Sequence, residues 1–287
     1  EEDYTGPEFN WSSYAPVTEP PEAVAHLQKC YAATLTMADK WFGKFINTLK
    51  ANGMYEDTLI ILTTDHGHML GDQGFTGKNF MHAYNELAHI PLMVHFPGGE
   101  HAGKRVDALT QNIDVMPTIL KYYGLEVPET VKGQSLINVI EGSVEEREAV
   151  IYGWFGRAVN IFDGRYTYFR APQTPDNQPC FNYCAMPTTI WRYFGPEYAE
   201  SMEMGRFLKY TNYPVYKIPV LNQSDIFGDI KYATNSELYD IKMDYSQKKP
   251  LEDEKIEDCM VQKLTRLLKW ADSPDDQYIR LGLHQRE

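Results

Sequence analysis

Cysteine is scarce. Four residues, Cys30, Cys180, Cys184 and Cys259, serve a chain of 287. That is too few for a disulfide framework, and the absence of any Cys-x-x-Cys pair argues against a structural zinc site. All four read as reduced structural or surface thiols, which tilts the expected compartment toward the cytoplasm. Basic residues are also in deficit: Lys and Arg number 27 against 40 Asp and Glu, a net charge of −13. A nucleic-acid binder usually shows the opposite balance, and an anionic membrane surface would repel this chain. No apolar run approaches the roughly 20 residues of a membrane helix. Glu1-Glu2-Asp3-Tyr4 lacks the basic-then-apolar layout of a signal peptide, and no Met opens the chain, so a processed chain or a fragment is expected, in which a signal peptide is not assessable. A Walker A loop is missing too, because Asn79 follows Lys78.

What is present is ordinary globular composition. Hydrophobic residues make up 43% and charged residues 23%, which excludes wholesale disorder. The length suits two domains. Residues 1–21, rich in Pro, Glu and aromatics, read as an extended lead-in. A helix is predicted from Pro21-Glu22, with Val24, Leu27, Tyr31, Leu35, Ala38, Phe42, Phe45 and Leu49 on one face and a stop at Asn52-Gly53. Residues 58–64 and 90–96 are apolar runs without alternation, the pattern of strands buried on both faces of a parallel sheet. Residues 106–113 are predicted as a third strand, and Asp114-Val115-Met116-Pro117 as the cap and first turn of a short helix stopped by Gly124.

The charged stretch at 141–148 suggests a boundary, giving domains 1–145 and 146–287. Beyond it, 157–162 and 165–170 flank Asp163-Gly164, a strong hairpin signal. Residues 172–236 read as long loops with short elements and 237–241 as a strand. A last helix carries Ile256, Met260, Leu264, Leu267 and Leu268 on one face. The expected fold class is α/β: a mixed, mainly parallel sheet in the first domain and a smaller antiparallel α+β domain after it.

Chemistry concentrates at Thr64-Asp65-His66-Gly67, at the C-terminal end of the first apolar run. Ligands of open α/β sheets bind beyond the carboxyl ends of strands. Asp65 and His66 offer a hard oxygen and an imidazole to a metal there; the alternative is Asp65 capping a turn and His66 satisfied by backbone. Gly67 permits a sharp turn that leaves both side chains forward. Lys78 lies in a glycine-rich stretch that lets it approach a sulfate or phosphate oxyanion, against the commoner case of a solvated loop lysine. His68, His89, His95 and His101 are weaker candidates, His89 and His95 fitting core histidines. Tyr152-Gly153-Trp154-Phe155-Gly156-Arg157 could line a cleft, or simply pack in a core.

In order along the chain, these segments resemble the sulfatase family of the alkaline phosphatase superfamily. The block Asp57-Thr58-Leu59-Ile60-Ile61-Leu62-Thr63-Thr64-Asp65-His66-Gly67 is similar to the family's central strand and metal loop. Leu70-Gly71-Asp72 with Gly77-Lys78, then Tyr84-Asn85-Glu86, resembles the loop bearing the sulfate-binding lysine. Asp114-Val115-Met116-Pro117-Thr118 resembles the Asp-x-x-Pro-Thr helix, and Glu237-Leu238-Tyr239-Asp240-Ile241 the strand of the small C-terminal domain. The resemblance covers only the C-terminal half of a sulfatase. It implies an α/β sandwich and hydrolysis of a sulfate ester. Asp65 and His66 would be metal ligands, Lys78 a contact to sulfate and nucleophile, and His82 a second polar contact. The metal implied is divalent, calcium first, with magnesium, manganese or zinc as alternatives.

The family's nucleophile is a formylglycine made from Cys-x-Pro-x-Arg or Cys-x-Ala-x-Arg, and no cysteine here has that setting. Gln73 also departs, standing where relatives often have His. The expectation is therefore a piece that is inactive alone, needs its N-terminal half and could self-associate. Its substrate would be a sulfated carbohydrate or small molecule. Alternatives are a phosphodiesterase or phosphonate monoester hydrolase of the same superfamily, or a non-catalytic protein retaining the fold.

Overall fold

A computed structural model describes residues 4–78, 81–189, 192–221 and 235–283. Its first long element is helix α1, Pro21–Ala51, with Pro at the first helical position and Asn52 as its C-cap; Gly53 follows in the left-handed region, φ 68°. Both ends match the sequence signals. The helix is fastened near its ends. Ala23 and Leu27 pack with Phe9, and Leu49 is buried. Between them every residue from 31 to 41 is exposed, Tyr31, Leu35, Met37 and Trp41 included.

After α1 come β1 (Ile60–Thr63), β2 (Met69–Leu70), β3 (Thr76–Gly77), a single turn of helix α2 (Asn85–Ala88) and β4 (Leu92–His95). The strands at 60–63 and 92–95 stand where expected, but they pair antiparallel, Ile61 opposite Val94. Every strand pairing among the described residues is antiparallel, so the expected mainly parallel sheet is not found there. Nor is this pair buried on both faces: β1 is half-buried throughout, and Met93 of β4 is exposed. A parallel sheet needs covering on both faces, and each of these strands has one strand neighbour.

Compactness divides the chain into Glu1–Val106 and Asp107–Glu287. The boundary read at 145/146 lies inside the second unit. The third strand read at 106–113 does not form. Instead the Asp114 carboxylate accepts from the backbone N–H of Gln111 at 2.8 Å and of Gln134 at 2.8 Å, taking a donor that a ladder would need. Arg147 adds a two-pronged bond, at 2.7 and 2.5 Å, to the same fully buried carboxylate. Asp114 precedes helix α3 (Val115–Tyr122) as read, yet its side chain caps no helical N–H. It is the hub that joins α3 to helix α4 (Leu136–Glu141) and to the charged stretch.

The second unit continues with β5 (Val150–Gly153), β6 (Val159–Phe162), β7 (Tyr166–Arg170), β8 (Phe181–Cys184), β9 (Glu203–Gly205), β10 (Val215–Pro219), β11 (Glu237–Asp240), α5 (Glu254–Trp270) and α6 (Asp275–Arg280). One sheet runs β11-β7-β6-β5 and another β8-β10-β9. Helix α5 lays Met260, Leu264 and Leu268 on Ile161, Tyr168 and Leu238 of the first sheet, forming the main core. The hairpin at Asp163-Gly164 is present. Asp163 Oδ1 accepts from the N–H of Arg165 and Tyr166, and Lys263 of α5 donates to Oδ2 at 2.7 Å. The β8-β10-β9 sheet lies in the region read as loops, of which residues 190–191 and 222–234 fall outside the described residues. Among the described residues no helix is long and apolar enough to cross a membrane, and all four cysteines are free thiols.

Two outcomes follow from this architecture. Burial alone would raise the Asp163 carboxyl, but the Lys263 ammonium and two backbone N–H groups hold it below its ordinary value. A depressed carboxylate stabilises the fold above its unfolded pKa, near 4, and ceases to do so as pH falls through its folded pKa. Asp163→Asn is expected to cost about 1–3 kcal/mol at pH 7, the gap to wild type closing as urea melts are taken toward pH 2–3. A constant gap across that range would refute the assignment. Second, the bare stretch of α1 should bind a hydrophobic dye and drive self-association of the chain. Leu35→Glu with Trp41→Glu should abolish both while moving stability by no more than about 0.5 kcal/mol per site, as checked by light scattering and denaturant melts.

Candidate functional site

The site is built in the first unit, from the turn that leaves β1. Thr64 Oγ1 donates to the His66 carbonyl at 3.1 Å, and the His66 N–H donates to Asp65 Oδ1 at 3.0 Å, so the turn is closed by its own side chains. The next two residues are pinned from below. Gly67 N–H donates to Leu87 O at 2.9 Å and His68 N–H to Glu86 O at 3.1 Å. A Cβ at position 67 would stand 1.8 Å from the Glu86 carbonyl oxygen. Gly67 is thus required for close backbone approach, while the turn read there is closed by the side chains of Thr64 and Asp65.

The chain then runs through β2 and returns along β3, Met69 opposite Gly77. That register carries Lys78 back alongside residues 66–68. Lys78 Nζ stands 2.5 Å from His66 Nε2. His66 Nδ1 lies 2.7 Å from the Gly67 carbonyl oxygen, which can only accept, so the ring proton sits on Nδ1. Nε2 is left with its lone pair, which accepts from the Lys78 ammonium. Asp65 Oδ2 is 3.3 Å from the same nitrogen. Slight burial pushes the Asp65 carboxyl up, but the hydrogen bonds from its own and the His66 backbone N–H and from Thr64 hold the group below its ordinary value. His68 is pushed down, first by burial and then by the Lys78 ammonium.

Three of the four predicted site residues, Asp65, His66 and Lys78, therefore converge. Two electron-pair donors 3.3 Å apart match the spacing of neighbouring ligands on one divalent ion, about 3 Å for bonds slightly over 2 Å. The chemistry of the pair fits a cation, and the adjacent ammonium fits an oxyanion. Among the described residues no group of three or more His, Cys, Asp and Glu could hold an ion, so Asp65 and His66 do not by themselves make a metal site. His82 is buried, with its ring edge-on to Tyr84. His95 has the backbone partner expected but is only half-buried: it bonds the Tyr55 carbonyl at 3.1 Å and stacks on the Tyr55 ring, while His89 is exposed rather than in a core.

Two residues beside the site escaped the sequence reading. Tyr14 meets the His68 ring edge-on at 5.6 Å, and Tyr31 lies nearly parallel to it at 6.3 Å. Tyr31 was legible only as part of an apolar helical face. Tyr14 carried no signal within a lead-in devoid of period.

Replacing the pinned glycine tests the construction. Gly67→Ala must displace the Glu86 carbonyl and is expected to destabilise the chain by about 2–3 kcal/mol. Gly43→Ala, in α1 with nothing within 4 Å of the new methyl, should stabilise it by about 0.5–1 kcal/mol. Equal denaturant midpoints for the two variants would contradict the close approach.

The chain is similar in sequence and fold to known proteins. The sulfatase family profile matches residues 2–125. The chain is 34% identical over 129 residues to an N-acetylglucosamine-6-O-sulfatase of Bacteroides thetaiotaomicron, a match taking in 44% of this chain and 23% of that one. It superposes on the structure of BT4656 in complex with its substrate D-glucosamine-2-N,6-O-disulfate with a TM-score of 0.63 at 20% identity, over 93% of this chain and 44% of the other. It superposes on the phosphonate monoester hydrolase of Agrobacterium radiobacter with a TM-score of 0.57 at 20% identity, over 86% of this chain and 42% of that one. The chain thus spans less than half the length of these relatives. The profile places residues 2–125 in the sulfatase family, and the superpositions show that the chain shares the α/β fold of these structures.

Proposed function

We propose that this chain is the C-terminal portion of a sulfuric ester hydrolase and carries part of its catalytic site. The observation behind this is the convergence of Asp65 Oδ2, His66 Nε2 and Lys78 Nζ at the end of β1. Asp65 and His66 would hold a divalent metal, calcium in the first instance, with magnesium, manganese or zinc as alternatives; when bound, it would supply Lewis-acid stabilisation of a sulfuryl oxygen. Lys78 donates to a sulfuryl oxygen and offsets the negative charge that builds there as the ester bond breaks. His66 keeps its proton on Nδ1 through the Gly67 carbonyl, so that Nε2 faces the site as a lone pair. His82 is retained as a second polar contact of the same site.

The nucleophile lies elsewhere. The family's formylglycine precursor motif surrounds none of the four cysteines, so the chain would be inactive alone and would depend on an N-terminal half. The bare stretch of α1 from Leu35 to Trp41 and the two-stranded β1-β4 sheet, exposed at Met93, support that dependence. Packing against such a half would cover both. A sulfated carbohydrate or small molecule is the substrate class, in keeping with the name of the Bacteroides thetaiotaomicron relative. A second reading, hydrolysis of a phosphodiester or phosphonate monoester, uses the same three residues, since a phosphoryl oxyanion meets the same cation and ammonium. A non-catalytic protein retaining the fold is the third.

The chain alone is expected to hydrolyse neither 4-nitrophenyl sulfate nor bis(4-nitrophenyl) phosphate above background. Joined to a formylglycine-bearing N-terminal half, it should hydrolyse the sulfate in preference, and Lys78→Ala should lower kcat about 100- to 1,000-fold. Turnover by the chain alone that Asp65→Ala abolishes would overturn the division of labour. Preference for the phosphate ester would favour the second reading, and inactivity of the joined protein toward both would favour the third.

A further inference from the structure

Beside the Asp65-His66-Lys78 cluster stands a corner made of three rings. His68 follows the metal-loop turn directly, and the β2-β3 register sets it across from Lys78. The Tyr31 ring lies within 16° of parallel to His68, and the Tyr14 ring stands at 90° to it. Tyr31 is exposed on α1, while Tyr14 and His68 are half-buried, so the three rings keep solvent-facing surface.

The corner is held at some cost. Tyr14 sits at φ 55°, in the left-handed region that a bulky side chain rarely adopts. Flanking bonds clamp it there: Thr76 N–H donates to Ala15 O at 3.0 Å, Val17 N–H donates to Gly74 O at 2.8 Å, and the Ser13 and Thr76 hydroxyls meet at 3.0 Å. Gly77, the residue before Lys78, makes room for it, since a Cβ there would lie 2.6 Å from the Tyr14 ring. The strained tyrosine and the lysine are thus placed by one short stretch of backbone.

We propose that Tyr14, Tyr31 and His68 form the subsite for the alcohol part of the substrate, and that this part is a sugar ring. The proposal rests on the reading of Lys78 as the sulfuryl contact. One wall of the corner takes the apolar face of a pyranose, and the perpendicular ring takes its edge. Two phenols and an imidazole supply polar groups that can bond ring hydroxyls, as a carbohydrate requires. A quaternary ammonium group is disfavoured on two counts. It needs rings closing around it, whereas only three rings meet here among the described residues, and the Lys78 ammonium beside them repels a cation. An aryl ester would use the ring faces but leave the polar edges without a role.

The test uses the 287-residue chain and titrations by saturation-transfer NMR. The probes are glucosamine 6-sulfate, inorganic sulfate, 4-nitrophenyl sulfate and choline sulfate. The sugar sulfate is expected to bind tighter than inorganic sulfate, with its ring protons receiving saturation. Tyr31→Ala, an exposed helical position, should raise the Kd of the sugar sulfate about tenfold and leave that of inorganic sulfate within about twofold, while Tyr31→Phe keeps the wild-type value. Circular dichroism melts of both variants confirm that the fold is retained. A sugar sulfate bound no more tightly than inorganic sulfate, or a Kd indifferent to Tyr31→Ala, overturns the subsite. Tighter binding of the aryl or choline ester overturns its assignment to sugar. Lys78→Ala separates the underlying reading: if inorganic sulfate binding survives it, the sulfuryl role of Lys78 fails, while the Tyr31 variants still decide the subsite.

Discussion

The contact on which the site depends is between two pieces of main chain. At residue 67 the backbone comes so near the Glu86 carbonyl that no side chain fits between them. Hydrogen bonds from Gly67 and His68 to Leu87 and Glu86 fix that approach. Everything chemical hangs from it. With the floor of the turn pinned, Asp65 and His66 project from the end of β1, and the Gly67 carbonyl is presented to His66 Nδ1. That one carbonyl decides which imidazole nitrogen faces the site. The β2-β3 ladder then brings Lys78 to the exposed lone pair. A turn built from side chains alone would leave the tautomer and the spacing of the donors free to vary.

The two compact units differ in how far they satisfy themselves. The second has a core of ordinary kind, with α5 laid on a four-stranded antiparallel sheet and Ile161, Met260, Leu264 and Leu281 fully buried. Among the described residues the first has a small cluster of Phe9, Ala23 and Leu27 at the start of α1, further buried side chains such as Met69, Met81 and Leu87, and a two-stranded pairing half-open to solvent. Apolar surface left in water contributes nothing to stability and invites association. The functional residues belong to the less self-sufficient unit. In a protein longer than this chain, further polypeptide packing there would complete the core and the coordination shell together.

Much of this was legible in the residues. Pro21 and Asn52-Gly53 marked both ends of α1, Asp163-Gly164 marked the hairpin, and the five-residue offset from Ile60 to Asp65 placed the carboxylate at a strand end. Lys78 was singled out by its glycines. What stayed hidden depends on partners distant in sequence. An apolar run without alternation reports burial on two faces but carries no record of strand direction, so Ile61 opposite Val94 was not foreseeable. Residues 106–113 have strand-like composition, yet Asp114 claims the Gln111 amide. Its partner Arg147 lies within the charged stretch that was read as a boundary. The position of Tyr14 is set by bonds to residues more than 60 positions away, which no local pattern encodes.

The Asp114 hub also bears on the order in which the second unit assembles. Its contacts span 20 positions to Gln134 and 33 to Arg147, so loops of that length must close before the carboxylate has its partners. Until then desolvating it is unfavourable, because a buried charge without a counterpart is costly. Once formed, the joint depends on Arg147 for its counter-charge: without it the buried Asp114 carboxylate would keep its two backbone donors but stand as an uncompensated charge between α3 and α4.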